Sequence, residues 1–92
     1  MTYSMELPDE LHARGWKVKI RNLERVEPPH VSIMQRTKVW RYGLRDPGFL
    51  DVEPSPRDVP DTVLEEVNGR IDELRAEWDR LYPANPVFSE EG

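Results

Sequence analysis

A histidine and a nearby serine are the side chains of this sequence that come closest to a reactive arrangement. His30 and Ser32 are two residues apart in a short segment with strand character, a spacing that puts both side chains on one strand face. A serine beside a histidine base is the pairing that nucleophilic catalysis uses. The chain has no Gly-x-Ser-x-Gly turn and no recognisable third group to orient the histidine, so the sequence gives no positive sign of an enzyme.

Metal chemistry has no better support in the sequence. His30 would need carboxylates from elsewhere in the fold, because no two ligand types recur at a helical or strand spacing. Cysteine is absent, which excludes disulfides and thiolate zinc sites. We therefore expect no metal and no cofactor, and a structural role for His30 with its ring hydrogen-bonded where the strand begins.

Basic side chains interleaved with aromatic ones form the best candidate for a binding surface. Strict alternation from Trp16 to Arg21 puts three cations on one strand face, and the segment from Lys38 to Tyr42 adds further cations beside Trp40. Such a surface suits a nucleic-acid backbone with stacked bases, and it suits an acidic protein about as well. The candidate binding residues are Lys17, Lys19, Arg21, Lys38 and Arg41.

The formal charge of −5 hides a division between a basic and an acidic half. Residues 13–45 contain nine Lys and Arg against two Glu, whereas residues 46–92 contain four Arg against thirteen acidic residues. This asymmetry favours either an anionic partner for the basic half or a mutual attraction of the two halves within the fold. The negative total and a pI of about 5.0 rank nucleic acid below a protein partner.

Alternating apolar residues predict a small antiparallel sheet of three to four strands. Trp16, Val18 and Ile20 share one face of the first strand, opposite its basic residues. Residues 35–37 are predicted as a hairpin connection, and Asp46-Pro47-Gly48 fits a type II turn in which the glycine adopts positive φ. The predicted strands span residues 16–21, 30–34, 38–44 and 49–52.

One long amphipathic helix is predicted over residues 61–82. Its apolar residues follow one another at spacings of 3, 4, 3, 4 and 3, and Asp61 or Thr62 is the expected N-cap. Gly69 costs about 1 kcal/mol inside such a helix, but the apolar period continues through it. We expect the stripe to cover the sheet, with a helix shared between two chains as the alternative. The stripe consists of Leu64, Val67, Ile71, Leu74, Trp78 and Leu81.

The remaining segments complete a single α+β domain over residues 1–92. Residues 1–7 are predicted as a loose arm or an edge segment, and Pro8 and Gly15 bracket a short helical turn. Residues 53–60 are predicted as a stiff Pro-rich linker and residues 84–92 as a frayed tail. No segment approaches the roughly 20 apolar residues that span a bilayer, so we expect no membrane partner. We also expect a cytoplasmic protein that is a monomer or a weak dimer.

Three segments of the chain resemble a known family. Gly15–Arg21, Glu27–Ser32 and Glu73–Trp78 are similar to small bacterial domains of unknown function with a Pro-Pro-His-aromatic-His signature. Those domains are often encoded beside a second small protein, in pairs suggested to be toxin and antitoxin. The resemblance implies an α+β fold and a binding role toward a second small protein. The basic strand face gives the alternative function, weak nucleic-acid binding. The signature residues matched are Pro28, Pro29 and His30, whereas Val31 and Ser32 stand in place of the aromatic residue and the second histidine.

Overall fold

A computed structural model describes residues 3–21 and 27–88, and within these ranges the chain forms an α+β domain. Five strands follow one another in an antiparallel meander in which every strand pairs with its neighbours in the chain. The strands are β1 (Tyr3–Met5), β2 (Trp16–Ile20), β3 (His30–Gln35), β4 (Lys38–Gly43) and β5 (Gly48–Phe49). The helices are α1 (Asp9–Ala13), α2 (Asp61–Gly69) and α3 (Ile71–Leu81), with a 3₁₀ turn at Pro56–Asp58.

The sheet has one strand more than the three to four predicted, because the N-terminal segment joins it. Tyr3 pairs with Ile20 and Met5 pairs with Val18, so of the two predictions for residues 1–7, a loose arm or an edge segment, the edge segment is correct for Tyr3–Met5. The Tyr3 hydroxyl donates to the Glu73 carboxylate, and burial together with that carboxylate raises the pKa of Tyr3 to about 12. Three residues are too short for a readable alternation, so sequence alone gave no strand signal here.

The alternation predicted for β2 is confirmed and defines the inner face of the sheet. Trp16, Val18 and Ile20 are buried, whereas Lys17 is exposed and Lys19 is half-buried. Val18 lies opposite Ile33 in β3. The inner face continues across the strands, and its buried members include Val31, Ile33, Trp40 and Tyr42.

The predicted single helix over residues 61–82 is wrong in its continuity, since two helices meet at Arg70. Arg70 has φ −121° and ψ 23°, outside the helical region, and its amide donates to the Val67 carbonyl at 3.1 Å. A Cβ placed on Gly69 would meet nothing within 4 Å, so no close approach within the described chain requires the glycine. Its low helix propensity, about 1 kcal/mol below that of alanine, favours a break at this point. The helices begin at Asp61 without the predicted side-chain N-cap.

The apolar stripe nevertheless packs inside the chain as expected. Val67, Leu74 and Trp78 are fully buried, and the Trp78 indole donates to the Asn85 carbonyl at 2.7 Å. The partly buried members of the stripe are Leu64, Ile71 and Leu81, and Val63 joins the buried set. The helices therefore cover the inner face of the sheet, as a layered α+β domain requires.

The hairpin predicted between β3 and β4 is confirmed, whereas the turn predicted after β4 is wrong. A two-residue hairpin joins β3 to β4, and its Arg36 has a φ of 57°. The predicted type II turn is wrong, because Gly48 belongs to β5 and pairs with Gly43 of β4. Among the described residues the positive-φ glycine is Gly15, at φ 88°. That value confirms the left-handed residue predicted after the first helical turn.

The segments predicted as irregular carry more structure than expected. The linker includes the 3₁₀ turn, whose start is capped by the Ser55 hydroxyl accepting from the Arg57 amide. Val87, in the predicted frayed tail, is fully buried, and its amide donates to the Asp79 carboxylate at 2.8 Å. The connection over residues 22–26 and the last residues, 89–92, lie outside the described ranges.

Candidate functional site

Apart from His30, which packs on Trp78 of α3, the second face of the sheet presents a mixed basic and apolar surface. Its side chains alternate along each strand with those of the core. The cross-strand rows on this side are Lys17–Met34–Val39 and Ser4–Lys19–Ser32–Arg41. We call its accessible part, which consists of Ser4, Lys17, Lys19, Met34 and Val39, the open face. Met34 and Val39 are half-buried and stand outside the core cluster.

Lys17 and Lys19 are the cations that the open face offers to a partner. Neither ammonium forms an ion pair or a side-chain hydrogen bond with any described residue. The predicted member Lys38 differs, because it lies on the inner side of the sheet and pairs with Asp58 at 3.7 Å. Two lysines two residues apart on one strand are therefore available to an anionic group from outside the domain.

Arg41 lies on the same side of the sheet but is held by internal carboxylates. Its guanidinium donates two hydrogen bonds to Asp51, at 2.8 and 2.7 Å, and a third to Glu27 at 2.8 Å. The two hydrogen bonds from Arg41 to Asp51 hold the pKa of that carboxyl below its usual value. They are also the largest cause that raises the pKa of Arg41. Arg41 thus serves the fold, and its charge is already neutralised.

The predicted basic surface is therefore divided by the structure. β2 and β4 are separated by β3, so Lys17 and Lys19 do not adjoin the cations of β4. Arg21 follows β2, is exposed, and accepts a hydrogen bond from the Tyr82 hydroxyl at its carbonyl. The five predicted residues reduce to the two lysines as the clearest binding pair.

The aromatic residues predicted beside the cations face the other way. Trp40 is buried and its indole donates to the Ser55 carbonyl at 2.9 Å, and the Tyr42 hydroxyl donates to Asn68 at 3.2 Å. Trp16 packs against Trp40 with ring centroids 5.5 Å apart. Within the described ranges, the open face thus carries no aromatic ring on which a base could stack.

The Pro-Pro-His segment is built into the core. The His30 ring is fully buried and packs on Trp78 with centroids 5.6 Å apart. Its Nδ1 donates to the Pro28 carbonyl at 2.8 Å, which leaves Nε2 directed toward the Glu27 carboxylate, 4.0 Å away. Pro29 is buried, and its carbonyl accepts from the Leu44 amide at 3.0 Å. His30 thus anchors the start of β3.

Ser32 lies on the same strand face as His30 and is equally inaccessible. Its hydroxyl is fully buried and has no hydrogen-bond partner among the described residues. A nucleophile must meet its substrate, so this serine and histidine are not placed for catalysis in this conformation. The described ranges also contain no group of three or more His, Cys, Asp or Glu side chains placed to hold a metal.

A cleft of about 430 Å³ opens between β2 and the chain that runs from β1 into α1. Lys17 and Lys19 line it together with Trp16 at the beginning of β2. The other lining groups include Leu7, Asp9 and His12. Sequence reasoning missed this cleft because the segment before α1 has no periodic pattern. The cleft also depends on the pairing of β1 with β2, which the sequence left open.

Comparison with known proteins adds no relative to this geometry. The chain matches no family model, no curated protein and no solved structure. None of the helices in the described ranges is long and apolar enough to cross a membrane. The arrangement of the open face and its cleft is therefore what carries the functional conclusion.

Proposed function

We propose that this domain is a binding module that holds an acidic segment of a second protein on its open face. The observation that carries the proposal is the pair Lys17 and Lys19, whose ammonium groups have no counter-ion among the described residues. Met34 and Val39 lie beside them and stay half-exposed on a sheet whose other face is packed. An apolar centre next to unpaired charges is the usual anatomy of a protein interface.

The resemblance to the Pro-Pro-His domains supplies the expected source of the partner. Those domains are often encoded beside a second small protein, so we propose a neighbour-encoded protein in a toxin–antitoxin-like pair. The charge distribution supports a partner that approaches from the sheet side, because the outer sides of α2 and α3 carry acidic residues. These include the exposed residues Asp61, Glu65 and Asp72. An acidic segment would be repelled there and attracted to the open face.

Single-stranded nucleic acid is the second candidate for the same lysines. Two unpaired ammonium groups suit phosphates as well as carboxylates. The proposal ranks nucleic acid lower because Trp16, Trp40 and Tyr42 are packed on the inner face and are not available for stacking. A steep loss of RNA affinity with salt, abolished by Lys17→Glu, would favour this candidate over the protein partner.

The test is co-purification of the neighbour-encoded protein with tagged variants of this chain. Lys17→Glu with Lys19→Glu should abolish recovery of the partner, since it reverses both charges on the open face. Lys38→Glu with Arg57→Glu makes the same change in net charge on exposed residues away from that face and should retain the partner. Equal loss in both double variants, or repeated failure to recover a partner with the unmodified chain, would contradict the proposal.

A further inference from the structure

The cleft beside β2 is lined by charges of both signs, and the two signs come from different parts of the chain. β2 contributes Lys17 and Lys19. The segment that leaves β1 and enters α1 contributes Glu6 and Asp9. A cleft lined by both signs of charge suits a ligand that is itself dipolar.

These four charged side chains do not neutralise one another. An ion pair requires a nitrogen–oxygen distance within 4.0 Å, and no such pair joins the two lysines to the two carboxylates. None of the four side chains has another ion-pair or hydrogen-bond partner among the described residues. The opposite charges therefore line one cleft while remaining too far apart to pair, and the space between them is open to a ligand that contacts both.

The cleft also has an apolar part of suitable size. Leu7, which is half-buried, lines it beside the charged groups, together with the buried core residues Met5, Trp16 and Val18. Its volume of about 430 Å³ lies within the usual range for small-ligand sites, roughly 300 to 1,000 Å³. A few charged groups around an apolar wall are the usual composition of such sites.

We propose that the cleft binds a small zwitterion with an apolar side chain, either a free amino acid or a short peptide. The ligand carboxylate lies toward Lys17 and Lys19, and its ammonium group lies toward Glu6 and Asp9. The apolar side chain packs against Leu7. This inference does not rest on the proposed protein partner, although both use the two lysines.

The test compares charged and capped probes by calorimetric titration of the full chain. L-leucine and L-leucyl-L-leucine represent the two ligand sources, and the tighter of the two identifies the source. The dipeptide is also used as its N-acetylated, C-amidated and doubly capped forms. Each single cap should weaken binding by about tenfold, because it removes one charge-assisted contact of roughly 1.5 kcal/mol or more.

Paired variants assign each charge to its side of the cleft. Lys17→Gln with Lys19→Gln should weaken the uncapped dipeptide about tenfold and leave the amidated form unchanged, because that form has no carboxylate to lose. Glu6→Gln with Asp9→Asn should show the mirror pattern with the acetylated form. Lys38→Gln with Asp58→Asn, an ion pair outside the cleft, is the control and should change nothing.

Three results would overturn the inference. They are equal affinity for the doubly capped and uncapped dipeptides, no saturable binding of either probe at millimolar concentration, and equal weakening of both singly capped forms by one variant pair. The outcome is separable from that of the proposed function. Met34→Asp with Val39→Asp alters the open face outside the cleft, so it should abolish protein binding and leave the zwitterion affinity unchanged.

Discussion

Arg41 and Asp51 form a two-pronged ion pair that ties the centre of β4 to the chain beyond β5. The two hydrogen bonds measure 2.8 and 2.7 Å, and the Leu50 amide donates to the Arg41 carbonyl at 2.9 Å next to them. β5 has only two residues, so the Arg41–Asp51 pair provides a second link between β4 and the chain that follows β5. The same guanidinium reaches Glu27, so one side chain joins β4 to the segments on both sides of it.

Asp51→Asn should remove part of the acid sensitivity of the fold. The hydrogen bonds from Arg41 lower the pKa of Asp51 in the folded state below its ordinary value of 3.8. Its contribution is therefore present above that value and is lost as pH falls through the lower folded pKa. At neutral pH we expect Asp51→Asn to lower the free energy of unfolding by about 1 kcal/mol or less, because the pair is partly exposed.

Urea unfolding across the acidic range checks this expectation. The difference in unfolding free energy between the unmodified chain and Asp51→Asn should shrink as pH falls below about 4. Asp58→Asn is the matched control, because Asp58 forms a longer and more exposed pair with Lys38. A constant difference at every pH would show that the Arg41 pair does not set the acid limb.

Ser32→Ala should leave the domain as stable as before or make it more stable. The buried hydroxyl has no hydrogen-bond partner among the described residues, and such a group costs about 1 to 3 kcal/mol. We expect Ser32→Ala to raise the free energy of unfolding by about 1 kcal/mol, measured by thermal or urea unfolding. Ser4→Ala, exposed in the same row of side chains, should change nothing. A clear loss of stability in Ser32→Ala would mean that the hydroxyl is hydrogen-bonded in solution.

Arg36→Gly should stabilise the hairpin between β3 and β4. Arg36 has a φ of 57°, a left-handed conformation that costs a residue with a Cβ roughly 1 kcal/mol. Glycine adopts it freely, so we expect a gain of about 0.5 kcal/mol after the added entropy of the unfolded chain. Thr37→Gly is the control and should destabilise, since Thr37 is not left-handed. Equal losses in both variants would contradict the turn geometry.

Leu74→Asp should unfold the isolated chain. Leu74 is fully buried in α3, and even Leu74→Ala should cost about 2 to 5 kcal/mol, a large part of the roughly 5 to 15 kcal/mol of a domain this size. Ala76→Asp, exposed on the same helix, is the control and should keep the circular dichroism spectrum. A folded Leu74→Asp chain would favour the alternative in which the stripe belongs to an interface between chains.

The parts of the fold that sequence predicts are those governed by repeating patterns. β2 alternates between core and surface, and the helical stripe buries Val67, Leu74 and Trp78. Gly15 is left-handed as its place after a helical turn suggested. The break at Arg70 was not predicted because the apolar spacing is the same across two helices as along one. β1, with three residues, is shorter than the period that would reveal it, whereas β5 corresponds to the predicted fourth strand but ends at Phe49.

The candidate site was only partly predictable, because sequence shows which strand face a residue occupies but not what meets it there. Lys17 and Lys19 were placed correctly on the solvent side of β2. The ion pair between Arg41 and Asp51 was not predicted. It joins residues ten positions apart, and the geometry of the turn between them was predicted wrongly. The cleft depends on the Glu6–His12 segment closing over β2, which is a tertiary contact without a local signal.

Amide chemical-shift mapping tests the proposed protein partner most directly. Isotope-labelled chain is titrated with the neighbour-encoded protein, and the perturbed amides are placed on the fold. We predict that the largest shifts occur at Lys17–Lys19, Met34 and Val39, with little change in α2 and α3. Shifts confined to the acidic outer sides of those helices, with β2 and the β3–β4 hairpin unperturbed, would contradict binding through the open face.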